Sequence, residues 1–396
     1  MEKFNPEKLK YLNAANRILK IFFREKKAGS PLKLAGAKQI LIIDPTLIGD
    51  IVMLIPFLRT IKKTASDAKV TLVCGLWGKA LLKSQKIVDD FIIIDAKVLN
   101  SPAEMIKKWG YVRRVLKQVN GKEYDIAIEP RGDLRYLFFM HFCRAARKVA
   151  YNYTGGECLL TDVIRPSEKA THLVEDKMYL AKKMGCSFTR QEMYPRLFLT
   201  QEQKIENMKF LQRHGLEEKR IIGIHPGASL AHKRWKDFGV LIQKLDIENA
   251  AYLIFSGPGE EGIAMETAEC GRKQGRICLH IHETLEVYIR LIALCDACVC
   301  NDSGAGHLAA AYGVPAVVIC GPFEGRFCKP YTDHGVAAVS HKLPCKPCMS
   351  DVCLTGTNEC LRSITAEEVK QELYRLLERE KRWSQRSERT VQCRDG

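Results

Sequence analysis

The stretch Ala297-Cys298-Val299-Cys300-Asn301-Asp302-Ser303-Gly304-Ala305-Gly306-His307-Leu308-Ala309-Ala310-Ala311 decides the fold class. Its first four residues are an apolar run of strand length, and they read as a buried strand. A glycine-punctuated turn follows, and then small residues that open a helix. A strand that passes through glycine into a helix is half of a parallel β–α–β unit. Small residues at the helix start let backbone amides approach phosphate oxygens closely, and the helix dipole adds about 0.3–1 kcal/mol there. The G-x-G-x-x-G dinucleotide fingerprint is absent, and the turn comes late in its half of the chain. Taken singly, Asp302 or Ser303 also reads as a helix cap, and His307 as a half-buried histidine.

The same alternation extends outward in both directions. Short apolar strands are expected at Ile221–His225, Tyr252–Phe255, Ile277–His280, Ala297–Cys300 and Ala316–Cys320, with helices near 235–244, 261–274, 284–294 and 306–312. A charged helix is expected from Thr365 to Glu380. The first half repeats the theme with strands at Gln39–Asp44, Lys69–Cys74, Phe91–Ile94 and Tyr124–Glu129, and helices at Ile51–Lys63 and Ala103–Val119. Residues 150–200 carry no clean period. Two doubly wound α/β domains follow, with ligands expected at the carboxyl ends of the strands in a cleft. The boundary is expected near 195–218, which gives 1–38 as an extension, 39–205 as one domain, 206–375 as a second and 376–396 as a charged tail.

A length of 396 residues and 46% hydrophobic content suit two such cores. No run approaches the roughly 20 apolar residues of a membrane-spanning helix, and no secretory signal is visible. Most of the sixteen cysteines sit singly in apolar strands, as reduced thiols do, which points to the cytoplasm. The net charge of +16 calls for an anionic partner: nucleic acid, a phosphorylated acceptor or an anionic membrane. Basic residues are scattered rather than interleaved with aromatics on one module, which disfavours nucleic acid. Residues 8–27 place Tyr11, Leu12, Ala15, Ile18, Leu19 and Phe22 on one helical face and basic residues mostly on the other. Such a helix lies on an anionic leaflet or packs its apolar face on the protein's own surface.

Three further motifs carry chemistry. Thr46-Leu47-Ile48-Gly49-Asp50 follows the first strand, with Gly49 read as the tight turn and Asp50 at the helix start. On position alone Asp50 is equally an ordinary N-cap or first-turn acid. His225-Pro226-Gly227-Ala228-Ser229 and the following His232-Lys233-Arg234-Trp235 suit a diphosphate, or form a solvated basic loop, with Trp235 and Phe238 read as core. Cys345, Cys348, Cys353 and Cys360 have the spacing C-x2-C-x4-C-x6-C. They hold zinc or an iron–sulfur cluster as a structural site, or are free thiols or a disulfide formed on oxidation, and no nearby histidine or carboxylate suggests an open catalytic position.

Together these motifs resemble glycosyltransferase family nine, the heptosyltransferases. The resemblance runs in order over residues 38–375: Ile40–Asp50 with Pro56, Ile222–Trp235, Asn301–Ala311 with Gly313-Val314-Pro315 and Gly321-Pro322, and the cysteine cluster through Cys360-Leu361-Arg362 and Ile364. It implies a GT-B fold, two Rossmann-like domains facing a central cleft, with the acceptor bound in the first and the nucleotide sugar in the second. It further implies inverting transfer of heptose from ADP-heptose to a lipopolysaccharide-core acceptor, with no cofactor and no catalytic metal. By the same resemblance Asp50 looks like the general base, and Lys233 meets the donor diphosphate. Glu261 faces the ribose, and Asp302, Ser303, Gly304 and His307 line the donor. The expected partners are the nucleotide sugar, a phosphorylated glycolipid and an anionic inner-membrane surface, at the cytoplasmic face. The amino-terminal extension stands outside the family's core pattern, and the likeness over 130–200 is diffuse. Two other readings compete: a sugar-nucleotide epimerase or hydrolase of similar fold, which needs added carboxylates at the donor, and a non-catalytic basic protein that binds nucleotide or membrane.

Overall fold

The structure, a computed structural model, describes residues 14, 16–23, 32–99, 102–167, 169–322, 329–333, 335–348, 350 and 352–379. The chain divides into two compact units at Tyr194/Pro195.

The first unit holds β1 (Gln39–Ile43), β2 (Lys69–Cys74), β3 (Asp90–Ile93), β4 (Tyr124–Glu129), β5 (Ala145–Tyr151) and β6 (Asp162–Ile164) in one sheet of order β3-β2-β1-β4-β5-β6. The second holds β7 (Arg220–His225), β8 (Ala250–Phe255), β9 (Ile277–Ile281), β10 (Ala297–Asn301), β11 (Ala316–Ile319) and β12 (Val336–Val339), ordered β12-β11-β10-β7-β8-β9. Every strand pair is parallel. Counted within its own unit, each sheet therefore has the order 3-2-1-4-5-6 of a doubly wound fold. Parallel sheets are covered on both faces, so their strands must be apolar throughout. Ile40 to Ile43 are fully buried, and so are Ala297, Val299 and Cys300. The expected fold class is the one observed.

Both sheets reverse direction beside their first strand, between β1 and β4 and between β7 and β10. At such a point the helices leave on opposite faces and open a crevice at the strand ends, where ligands bind in these folds. The residues that follow β1, β4, β7 and β10 are therefore the ones that line these crevices.

Several expectations change in detail. The helix after β1 spans Ile48–Thr64, so Gly49 is its second residue and the turn is made by residues 44–47. Leu47 occupies the N-cap without a side-chain bond, which leaves Asp50 in the first turn rather than at the cap. The single helix expected at 103–119 is two, Pro102–Lys107 and Trp109–Val119, because Lys108 leaves helical geometry (φ −105°, ψ 27°). β5, β6 and the helix Leu173–Lys183 fill the stretch that lacked a period, and β12 was not foreseen. In the amino-terminal helix (14 and 16–22 as described), Leu19 and Phe23 face the domain while Ile18, Ile21 and Phe22 are exposed. The expected apolar face is thus split between the two sides, and Tyr11, Leu12, Ala15 and residues 24–31 lie outside the described residues. The closing helix, expected to Glu380, spans Ala366–Arg379.

Candidate functional site

In the first unit the crevice gathers charge in three places, two of them buried. Asp44, at the end of β1, is fully buried and meets Lys177 Nζ at 3.2 Å, with Lys177 itself buried. The Thr46 hydroxyl donates to the same carboxylate. Glu129 ends β4, fully buried, and accepts the backbone N–H groups of Arg131, Gly132 and Asp133. Those bonds shape the loop that carries Arg131, whose Nη1 lies 2.9 Å from Asp50 Oδ1. The Asp50 side chain remains 18% exposed. Burial works against the charge on Arg131, but Asp50 and then Asp44 outweigh it and raise its pKa.

Sequence reading singled out Asp50 and missed Asp44, Glu129, Arg131 and Lys177. Glu129 ends β4 and Arg131 follows it; β4 is the strand beside β1 across the reversal, so the signal lay in topology rather than in a motif.

Burial, followed by Asp133 and Asp44, pushes the Glu129 carboxyl up to about 8. An acid raised in the fold stabilises most below its unfolded pKa of roughly 4.3 and loses that contribution as pH rises through its folded value. Glu129→Gln should therefore gain in melting temperature relative to wild type as pH goes from about 5 to about 8. Paired thermal melts across that range check the sign, and a constant difference would show that Glu129 does not titrate there.

In the second unit the loops after β7 and β10 are tied together by Asn301, which is fully buried. Its Nδ2 donates to the carbonyls of Pro226 (2.8 Å) and Gly227 (3.1 Å), and its Oδ1 accepts from the Trp235 N–H (3.0 Å). Trp235 is core, edge-on to Phe238, with its indole N–H on the Ile364 carbonyl. Lys233 Nζ is thereby held 2.9 Å from Asp302 Oδ2.

Glu260 is the buried acid of this crevice. It lies 3.4 Å from His225 Nε2 and 3.9 Å from Arg234, and accepts the Gly257 N–H at 2.9 Å. A Cβ at Gly227 would fall 2.1 Å from Glu260 Oε2, so a side chain there would push the Glu260 carboxylate from this position. Burial lowers the pKa of His225, partly offset by Glu260, and the Tyr288 hydroxyl shares a hydrogen bond with His225 Nδ1. Its neighbour Glu261, the one expected at the ribose, is more open: it begins the helix Glu261–Arg272 and accepts the Gly259 N–H.

The helix Gly304–Ala311 starts beside Lys233 and Asp302. Ser303 holds its N-cap position in extended backbone, yet makes no side-chain cap bond, and its Oγ is buried without a hydrogen-bond partner. An uncapped start leaves N–H groups for a ligand. His307, buried within that helix, and Gly304, its first residue, complete the set. The structure thus brings Lys233, Asp302, Ser303, Gly304 and His307 to one β7/β10 crevice, with Glu261 at the end of the neighbouring β8, and places Asp50 in the other unit.

Cys345, Cys348, Cys353 and Cys360 line one small cavity with His232 and Glu359. A histidine and a carboxylate are therefore near the cysteines, contrary to the sequence reading: Glu359 precedes Cys360 in the chain, and the loop after β7 brings His232. Among the described residues no three histidine, cysteine or acidic groups are arranged to hold an ion. The Thr355 hydroxyl and the Asn358 N–H bond the Cys353 sulfur and bring its pKa down to about 7, whereas burial pushes Cys74 and Cys143 up to about 12. Since the thiolate is the nucleophile, iodoacetamide at neutral pH should label Cys353 well before Cys74 or Cys143. Peptide mass spectrometry over a time course tests that order.

A carboxylate at one set of strand ends, and a lysine beside an uncapped helix start at another, fit the glycosyltransferase class. The family model described as glycosyltransferase family 9 (heptosyltransferase) matches residues 112–358, and the chain belongs to that family. It is 26% identical over 344 residues to lipooligosaccharide heptosyltransferase 2 of Campylobacter jejuni, covering 86% of this chain and 98% of that one. It is also 26% identical over 349 residues to lipopolysaccharide heptosyltransferase 2 of Escherichia coli, covering 86% and 98%. The fold is shared with the solved E. coli ADP-heptose heptosyltransferase II, at TM-score 0.69, 24% identity and 86% and 99% coverage. It is shared too with a family 9 glycosyltransferase from Veillonella parvula, at TM-score 0.73, 20% identity and 89% and 100% coverage.

Proposed function

We propose that this glycosyltransferase moves heptose from ADP-heptose onto a lipopolysaccharide-core or related glycolipid acceptor, with inversion at the anomeric carbon. The observation that carries the reading is the uncapped start of the helix Gly304–Ala311, with Lys233 held beside it on Asp302. Relatives named for this transfer match almost end to end.

Inverting transfer needs a base on one face of the sugar and stabilisation of the leaving diphosphate on the other. In this reading Asp50 takes the proton from the acceptor hydroxyl as its oxygen attacks the anomeric carbon, and the bond to the diphosphate breaks. Lys233 and the amides after Ser303 receive the charge that develops on the leaving group, as the sugar passes through an oxocarbenium-like state. Glu261 meets the ribose. Arg131, 2.9 Å away, aims the Asp50 carboxylate. The acceptor is phosphorylated and lipid-linked, and the enzyme reaches it at the cytoplasmic face of the inner membrane, where the surplus positive charge favours both. Among the described residues no helix is long and apolar enough to cross a membrane.

The test is incubation of the protein with ADP-heptose and lipopolysaccharide from a heptose-deficient strain. Mass spectrometry should show the acceptor gaining one heptose; an unchanged acceptor beside unconsumed donor would contradict the assignment. In the same assay Lys233→Ala should lower kcat by about 10²-fold and weaken donor binding together. Unchanged kinetics would remove Lys233 from the site.

A further inference from the structure

The amino-terminal helix is apolar on two sides, and only one is used. Leu19 and Phe23, one turn apart, pack on the first unit's core. Asn16 Oδ1 accepts the Gly156 N–H at 2.7 Å, and Lys20 lies 3.5 Å from Glu157, so the helix is fixed in rotation. That rotation leaves Ile18, Ile21 and Phe22 outward, 56%, 79% and 75% exposed. Residues three and four apart share a face, so these three form one stripe.

A chain of rings continues from the docked side of this helix. Phe23 meets His141, His141 meets Phe142, and Phe142 meets both Phe138 and Trp109, all edge-on with centroids 4.7 to 6.4 Å apart. Phe142 and Trp109 are themselves exposed, as is Ile106 just before the break at Lys108. A monomeric soluble protein seldom leaves so many large apolar side chains in one neighbourhood without a use.

The charge around them says which use. Trp109, Arg113 and Lys117 follow at intervals of four on the helix Trp109–Val119, and Arg114 stands beside them, the three basic residues all exposed. Lys107, Lys108 and Arg144 flank the rings, and Arg17 flanks the isoleucine stripe, also exposed. Among the exposed residues from Lys107 to Lys117 there is no acid. Tryptophan and phenylalanine at the boundary with lysine and arginine around them is the composition that settles at a bilayer interface.

We propose that this composite face, the exposed stripe of the amino-terminal helix together with the Trp109–Lys117 helix and Phe142, docks the enzyme on an anionic lipid bilayer. Ile18, Ile21, Phe22 and Trp109 enter the headgroup–acyl boundary, and Arg17, Arg113, Arg114 and Lys117 lie on the headgroups. Each basic residue near such a surface contributes about fivefold in partition, and the contribution is screened by salt. The inference rests on the glycolipid-acceptor reading for its purpose but not for its test.

The test uses the full chain and vesicles with no glycolipid acceptor. Wild type should co-sediment with phosphatidylglycerol–phosphatidylcholine vesicles and much less with phosphatidylcholine alone, and the difference should shrink as salt rises. Ile21→Ser/Phe22→Ser and, separately, Arg113→Glu/Arg114→Glu should each lower the partition coefficient at least tenfold, with melting temperature and donor binding unchanged. Absence of wild-type binding to anionic vesicles overturns the proposal, as does binding that both variants leave intact. A dimer in analytical ultracentrifugation that Ile21→Ser/Phe22→Ser dissociates, without effect on vesicle binding, assigns the face to self-association and also overturns it. Failure of heptose transfer alongside intact vesicle binding would count against the acceptor reading alone.

Discussion

Asp50→Asn should reduce turnover by about 10²–10⁴-fold while donor affinity stays within about twofold of wild type. The amide keeps the shape and the hydrogen-bonding reach of the carboxylate but cannot take a proton, so only the step that needs a base is lost. Asp50 makes no N-cap bond and pairs with Arg131 at 2.9 Å, so the substitution removes little that the helix Ile48–Thr64 requires. Steady-state kinetics with donor titration on the same preparation separates the two effects. Turnover at the wild-type rate would reject Asp50 as base, and loss of donor binding would move it from the chemistry to the architecture of the site.

Lys177→Met should destabilise the protein by roughly 3–5 kcal/mol, the range for removing one partner of a buried pair. Asp44 and Lys177 are 0% and 3% exposed, and the lysine comes from the helix Leu173–Lys183, which packs on Ile48–Thr64. Methionine fills the same volume, so the loss is the cost of a carboxylate left in the interior with Thr46 as its nearest donor. Asp44→Asn/Lys177→Met should recover much of the difference, because neither charge then remains. Urea unfolding of the three proteins measures it. A single variant as stable as wild type would mean that water or Arg131 already neutralises Asp44.

The sheets were legible in the sequence because parallel strands covered on both faces must be apolar end to end, and Ile40–Ile43 or Ala251–Phe255 have no other place to go. The strand β5 escaped notice because Arg147 and Lys148 interrupt it; Arg147 pairs with Asp162 on β6, a partner that only the fold supplies. The donor-side residues stood in one continuous motif, from Asp302 to His307, and could be read together. Glu260 and Glu261 could not be told apart by sequence: adjacent acids at a helix start point to different sides, and only the contact with Gly227 marks Glu260 as the buried one. Arg131 and Lys177 are separated from Asp50 and Asp44 by more than eighty residues, and no local pattern announces an ion pair across that distance. The amino-terminal helix gave its apolar content but not its rotation, which is set by Asn16, Leu19 and Phe23 against the domain.

On this reading the crevice of the second unit binds ADP-heptose. Isothermal calorimetry of the purified protein with ADP-heptose, ADP, UDP-sugars and NAD tests it directly. ADP-heptose should bind saturably, ADP more weakly, and Lys233→Ala should lose affinity. Tighter binding of a UDP-sugar, or no heat with any nucleotide sugar, would contradict it.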